Sequence, residues 1–132
     1  MNSRERLQLA LDHQEPDRVP LDLGACFQTG MHAQTVYKLR QALGLDEPGT
    51  PIKLVDPYQG LGEIKPDLLD AVGGDVIGIN PRKNLFGFVN ENWKPWTAFE
   101  GTPLLVPELF NTEIAEDGKL YMYPEGDQSV AP

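Results

Sequence analysis

Arg18-Val19-Pro20-Leu21-Asp22-Leu23-Gly24 alternates apolar Val19, Leu21 and Leu23 with Pro20 and Asp22, the period-two pattern of a β-strand. Glu15-Pro16-Asp17 turns the chain into it. Upstream, Asn2 or Ser3 can cap a helix from about Arg4 to His13. Leu7, Leu9, Ala10 and Leu11 give it an apolar face before Pro16 stops it. Aspartate is disfavoured in strands, and a lone buried carboxylate is costly. Three readings of Asp22 therefore stay open: a pocket-lining carboxylate at a strand end, a partner for Arg18, or a cap on a neighbouring loop.

Downstream, Met31 or His32 to Leu43 reads as an amphipathic helix. Its apolar positions are Ala33, Val36, Tyr37, Leu39, Ala42 and Leu43, and Gly44 stands at the stop position. Ile52-Lys53-Leu54-Val55 is a short apolar run ended by Asp56-Pro57. Pro66 begins a helix through Val72 that Gly73-Gly74 closes. Asp75-Val76-Ile77-Gly78-Ile79 follows at once, ending at Asn80-Pro81, as in a strand buried on both faces of a parallel sheet. Helix, glycine pair and buried strand together indicate an α/β protein.

From Lys83 onward the texture changes, with Phe86, Phe88, Trp93, Trp96 and Phe99 set among Gly, Asn and Pro. Leu104-Leu105-Val106 and Lys119 to Tyr123 read as strands, and Asp117-Gly118 is a hairpin turn with Glu113 to Ala115 as the opposite arm. The predicted organisation is residues 1–82 as an N-terminal helix and first β/α units, and 83–132 as an aromatic-rich antiparallel excursion. Two parallel strands with one strong helix between them are not a stable sheet. The chain is thus expected to form a homo-oligomer, or to be the opening part of a barrel or doubly wound fold of about 250 residues or more.

Glycine and proline, 13 and 12 of 132 residues, exceed the average share of about 12% and leave room for few long helices. A net charge of -9, with no basic cluster, argues against nucleic acid or an anionic membrane as partner. One cysteine, Cys26, excludes an internal disulfide, and the charged start Met-Asn-Ser-Arg-Glu-Arg differs from a signal peptide. The expected setting is the cytoplasm.

Ser3-Arg4-Glu5-Arg6, Glu15-Pro16-Asp17-Arg18-Val19-Pro20 and Gly73-Gly74-Asp75-Val76, in this order, resemble the N-terminal region of the uroporphyrinogen decarboxylase-like superfamily. Trp93-Lys94-Pro95-Trp96, Gly101-Thr102-Pro103, Val106-Pro107, Asp117-Gly118 and Gly126-Asp127 look like the β-hairpin insertion of its methyltransferase-like branch. The resemblance spans essentially the whole chain. It implies the N-terminal part of a (β/α)8 TIM barrel, with its site at the C-terminal strand ends. It further implies a corrinoid- and zinc-dependent methyltransferase acting on a small substrate, with a corrinoid protein as partner. Zinc would be held by His and Cys ligands outside these residues, because His13, Cys26 and His32 show no ligand spacing. No cofactor or metal is expected within the chain, and the segment alone is expected to be inactive. The alternatives are a uroporphyrinogen decarboxylase, a lyase of tetrapyrrole biosynthesis, and a non-catalytic truncated or oligomer-forming fragment. Decarboxylases of the family place two arginines after the first strand to grip substrate carboxylates bidentately. Ala25 and Thr29 stand at those positions here, which speaks against a porphyrinogen substrate.

The candidate substrate-binding residues are Asp22, Gln28, Thr29, His32 and Asn80. Asn80 sits where a barrel strand delivers residues to the site. His32 either faces the pocket with Gln28 and Thr29 or is an exposed residue at the helix start. Cys26 is expected as a small buried filler, and Trp93 and Trp96 as aromatics that bury a loop in preference to stacking on a ligand. Gly73-Gly74 lacks the Lys-Ser/Thr of a phosphate loop.

Overall fold

The computed structural model describes residues 1–98 and 100–132; Phe99, one of the spaced aromatics, lies outside them. Local signals place the three helices. Helix α1 (Ser3–Leu11) opens with a capping box, in which Asn2 Oδ1 accepts the Glu5 amide while Glu5 accepts the Asn2 amide. Helix α2 (Ala33–Ala42) is capped by His32, whose Nδ1 accepts the Gln34 amide at 3.3 Å. Helix α3 (Pro66–Val72) starts on its proline and ends on Gly73, whose φ of 75° is the left-handed cap that glycine adopts without strain.

The sheet includes the expected 104–106 strand, and its other strands lie outside the 18–24 and 75–79 stretches. Its order is β2-β1-β4-β3, from β1 (Ile52–Asp56), β2 (Leu61–Gly62), β3 (Lys94–Thr97) and β4 (Pro103–Val106). Strands β1 and β4 run parallel, pairing Ile52 with Leu104, while β3 pairs antiparallel to β4 and β2 antiparallel to β1. A separate hairpin joins β5 (Thr112–Ile114) to β6 (Leu120–Met122) across the Asp117-Gly118 turn. Among the described residues the molecule is thus mixed α/β with small sheets and three short α-helices, and β1 and β4 tie the 1–82 and 83–132 stretches into one sheet. No helix among the described residues is long and apolar enough to cross a membrane.

Residues 18–24 and 75–79 are not strands here. Neither enters a ladder, the first bends at Arg18 and at Leu23–Gly24, and Val19, Ile77 and Ile79 are 84%, 75% and 93% exposed. The physical reason is that period-two patterning specifies a face and not a partner. Pro20 lacks an amide, and no described strand offers the rest of a ladder to either segment. By contrast β1 buries Ile52, Leu54 and Asp56 on one face, where Leu104 and Val106 of β4 join Ala33, Val36, Leu68, Phe88 and Phe110 in one core.

Gly62 shows how tightly α2 lies on this sheet. A Cβ there would stand 2.9 Å from the Ala33 Cα and 3.0 Å from Ile52 Cγ2. Gly62→Ala is therefore expected to cost about 1–3 kcal/mol through overpacking, read as a lower urea midpoint at unchanged slope.

Candidate functional site

The three N-terminal segments that carry the family resemblance meet at one carboxylate. Asp75, with a side chain 0% accessible, accepts Arg6 Nη1 at 2.5 Å, Arg18 Nη1 at 2.7 Å and the Leu21 amide at 2.9 Å. Its own amide donates to the Leu21 carbonyl at 2.8 Å. Arg6 also grips Asp17 bidentately, at 2.7 and 2.9 Å, and Arg18 reaches the Gly73 carbonyl. The Leu21 amide, then the Ser3 hydroxyl and the two guanidinium groups, hold the Asp75 carboxyl well below the usual carboxylate range, against the opposing effect of burial. This hub locks α1, the 18–24 segment and the start of 75–79 together, and Arg18 is engaged by Asp75 and not by Asp22.

With that frame fixed, the loop after Leu23 is folded by Asp22. Its Oδ1 accepts the Ala25 amide and the Thr29 hydroxyl, each at 3.0 Å. Of the three readings of Asp22, the loop cap is the one its hydrogen bonds display. Gly24, at φ 80°, turns the chain so that its amide meets the Thr29 carbonyl at 2.9 Å. Thr29 Oγ1 in turn accepts the Cys26 amide at 3.4 Å and lies 3.6 Å from Cys26 Sγ. Cys26 is exposed, which corrects the expectation of a buried filler. The Thr29 hydroxyl, and after it the Gln28 and Thr29 amides, draw its thiol below the ordinary value, so more of it is thiolate at neutral pH.

Between this loop and the 77–80 segment lies a cleft of about 60 Å³, lined by Cys26, Phe27, Leu61, Ile64, Ile77 and Asn80 among others. Gly24 and Gly78 bring the two walls together, since a Cβ on Gly78 would run into the Gly24 carbonyl and the Ala25 Cα. Asn80 is exposed at the rim, Thr29 stands behind Cys26, and Gln28 is exposed and away from the lining. His32 is not brought to this cleft. It lies against Gly60, whose added Cβ would stand 2.8 Å from the ring, and lines a second cleft of about 200 Å³ with Gln34, Trp96 and Glu100. Trp96 meets Phe110 edge-on at 5.6 Å and Trp93 lies under the Lys53 ammonium at 5.1 Å, so both aromatics have protein partners.

Sequence reasoning passed over Phe27 and Ile64 as lining residues. Phe27 carried no local signal, and Ile64 reaches the cleft only through the turn from β2 to α3. Among the described residues no group of three or more His, Cys, Asp or Glu is placed to hold a metal ion, so they do not by themselves build a zinc site. The cleft can orient a small molecule between apolar walls, with a thiol and an amide at its edge. Comparison of the chain with protein-family models, curated proteins and solved structures gives no match.

Proposed function

We propose that the chain is the N-terminal portion of a uroporphyrinogen decarboxylase-like barrel of the methyltransferase-like branch, and that the whole protein moves a methyl group to or from a small substrate with a corrinoid partner. The observation that carries the reading is the loop after Leu23. Ala25 and Thr29 occupy the positions where the family's decarboxylases keep carboxylate-binding arginines, and among the described residues the cleft behind that loop has no cationic side chain in its lining. A substrate carboxylate directed at this loop would find no cation to pair with there, at a large desolvation cost. The Asp75 hub supports the reading because it joins the three quoted motifs, which lie up to 69 residues apart, into one structural unit. Segments 18–24 and 75–79 would then be the first two barrel strands, held ready for neighbours. In this chain Asp22 and Thr29 shape the loop, while Asn80 and Cys26 address the bound molecule.

The test is zinc analysis and a methylcobalamin demethylation assay on the protein produced with whatever coding sequence follows Pro132. About one zinc per chain together with methyl transfer is the expected outcome; finding neither would sink the reading. The exposed Val19, Ile77 and Ile79 favour one further reading, a non-catalytic chain that self-associates through them. It predicts concentration-dependent dimers of the 132-residue chain by sedimentation, and a monodisperse, cooperatively melting monomer would exclude it.

A further inference from the structure

The cleft that His32 lines shares no lining residue with the cleft beside Cys26 and has a chemistry of its own. The lining carries one formal charge among the described residues, the Glu100 carboxylate, with His32 and Gln34 as its polar neighbours. Glu100's own amide and the Thr102 hydroxyl, then nearby His32 and Lys38, hold this carboxyl below the usual value, so it is ionised at neutral pH. Thr102 is buried at the foot of β4, and Lys38 stands outside the lining. The wall opposite this charge is aromatic. Trp96 and Phe110 both line the cleft with their planes 85° apart, so they offer a third ring the edge-to-face contact that aromatics prefer. Buried Leu54 and Leu104 complete the wall. The volume of about 200 Å³ exceeds the ~150 Å³ of an apolar cavity that accepts benzene, which leaves room for one ring and a short chain.

We propose that this cleft binds a protonated arylalkyl amine of one ring, of the size of phenethylamine, with the ring against Trp96 and Phe110 and the ammonium on Glu100. The ammonium gains a carboxylate partner and lies beside an indole, whose face attracts cations. The chain already sets one such pair, the Lys53 ammonium over Trp93. An anion of the same shape would meet the like charge of Glu100 and lose its hydration uncompensated. For a ligand this small the dissociation constant is on the order of 0.1–1 mM.

Trp93→Phe leaves Trp96 as the one indole of the chain, so its fluorescence reports on this cleft. The experiment titrates that variant with phenethylamine, 2-phenylethanol and phenylacetate, three ligands of nearly one shape and three charges, at about pH 8, above the ordinary histidine range. A saturable change is expected with phenethylamine, binding about tenfold weaker with the alcohol, and no saturable change with the acid. Adding Glu100→Gln, at an exposed position, should weaken the amine to the level of the alcohol and leave the alcohol as it was, which also shows the cleft intact. An amine that binds no tighter than the alcohol, saturable binding of the acid, or an amine affinity that survives Glu100→Gln would overturn the proposal. Loss of both amine and alcohol in Glu100→Gln would overturn it too, since the carboxylate would then serve the fold. None of these outcomes depends on methyl transfer, because the two clefts have separate linings.

Discussion

Asp75→Asn is expected to lower the thermal midpoint by roughly 10 °C or more and to speed amide exchange across residues 18–24. The substitution keeps the shape and removes the charge. Arg6 and Arg18 would then face an amide that cannot accept two guanidinium groups and a backbone amide, with Arg6 still buried. A hub that joins segments 54 to 69 residues apart leaves the connections between them unanchored when it fails. The direction with pH follows from the depressed carboxyl. A group whose folded-state pKa lies below its unfolded value of about 3.9 contributes stability above that pH and loses it as pH falls toward the folded value. The native protein should therefore lose stability below about pH 4, and the Asp75→Asn variant should show a shallower loss. Differential scanning calorimetry over that range, with hydrogen exchange, checks both. An unchanged midpoint would mean that the hub contributes nothing.

Arg40→Met is the second large effect. Arg40 is 1% exposed in α2, and its guanidinium is gripped bidentately by Asp46, at 2.6 and 2.9 Å, and by Asp67 of α3, at 2.8 and 2.7 Å. Methionine keeps much of the stem packing and strands Asp46, which is 9% exposed. The expected cost is about 3 kcal/mol, at the lower end for a broken buried pair because Asp67 is half in water. Arg40 chiefly, with the Leu68 amide, holds Asp67 at about 2, and Arg40 holds Asp46 low as well. Arg40 itself stays charged, its pKa raised further by both carboxylates. Native stability from this cluster is present above about pH 4 and is lost as pH falls toward about 2. The variant should lack that component, which separates loss of the ion cluster from loss of packing. Urea unfolding at pH 7 and at pH 3 provides the comparison.

These two clusters mark where sequence reading stops. The helices were legible because their signals are local: Asn2 with Glu5, Pro66 at the first turn, Gly73 just past the end. The 113–123 hairpin was legible for the same reason, through Asp117-Gly118. Strand β3 was hidden because Pro95 argues against a strand, yet β3 is the sheet edge, where a missing amide is tolerated. The alternation of half-buried Lys94 and Trp96 with exposed Pro95 and Thr97 was the available signal. Arg40 was missed although it continues the buried face of Ala33 and Val36, and a cation on an apolar stripe calls for partners. Its partner Asp67 is 27 residues away, and Asp75 is 69 from Arg6, separations that no local pattern encodes.

At the site, Asp22 and Thr29 are joined by a hydrogen bond that shapes the loop, and Asn80 lines the cleft with Gly24 and Cys26 of that loop. Of the two readings of His32, the exposed residue at the helix start is the one the structure shows, with capping of α2 turning its ring toward Gly60. Cys26 is a departure. Burial is the usual fate of a free thiol, and the turn at Gly24 instead brings Cys26 to the surface.

The proposal that this chain opens a larger methyl-transferring barrel is tested most directly by reading the coding sequence beyond the codon for Pro132. The expected result is an open frame of roughly 200 further residues with alternating strands and helices and late His and Cys residues able to bind zinc. A stop codon at that point would contradict it.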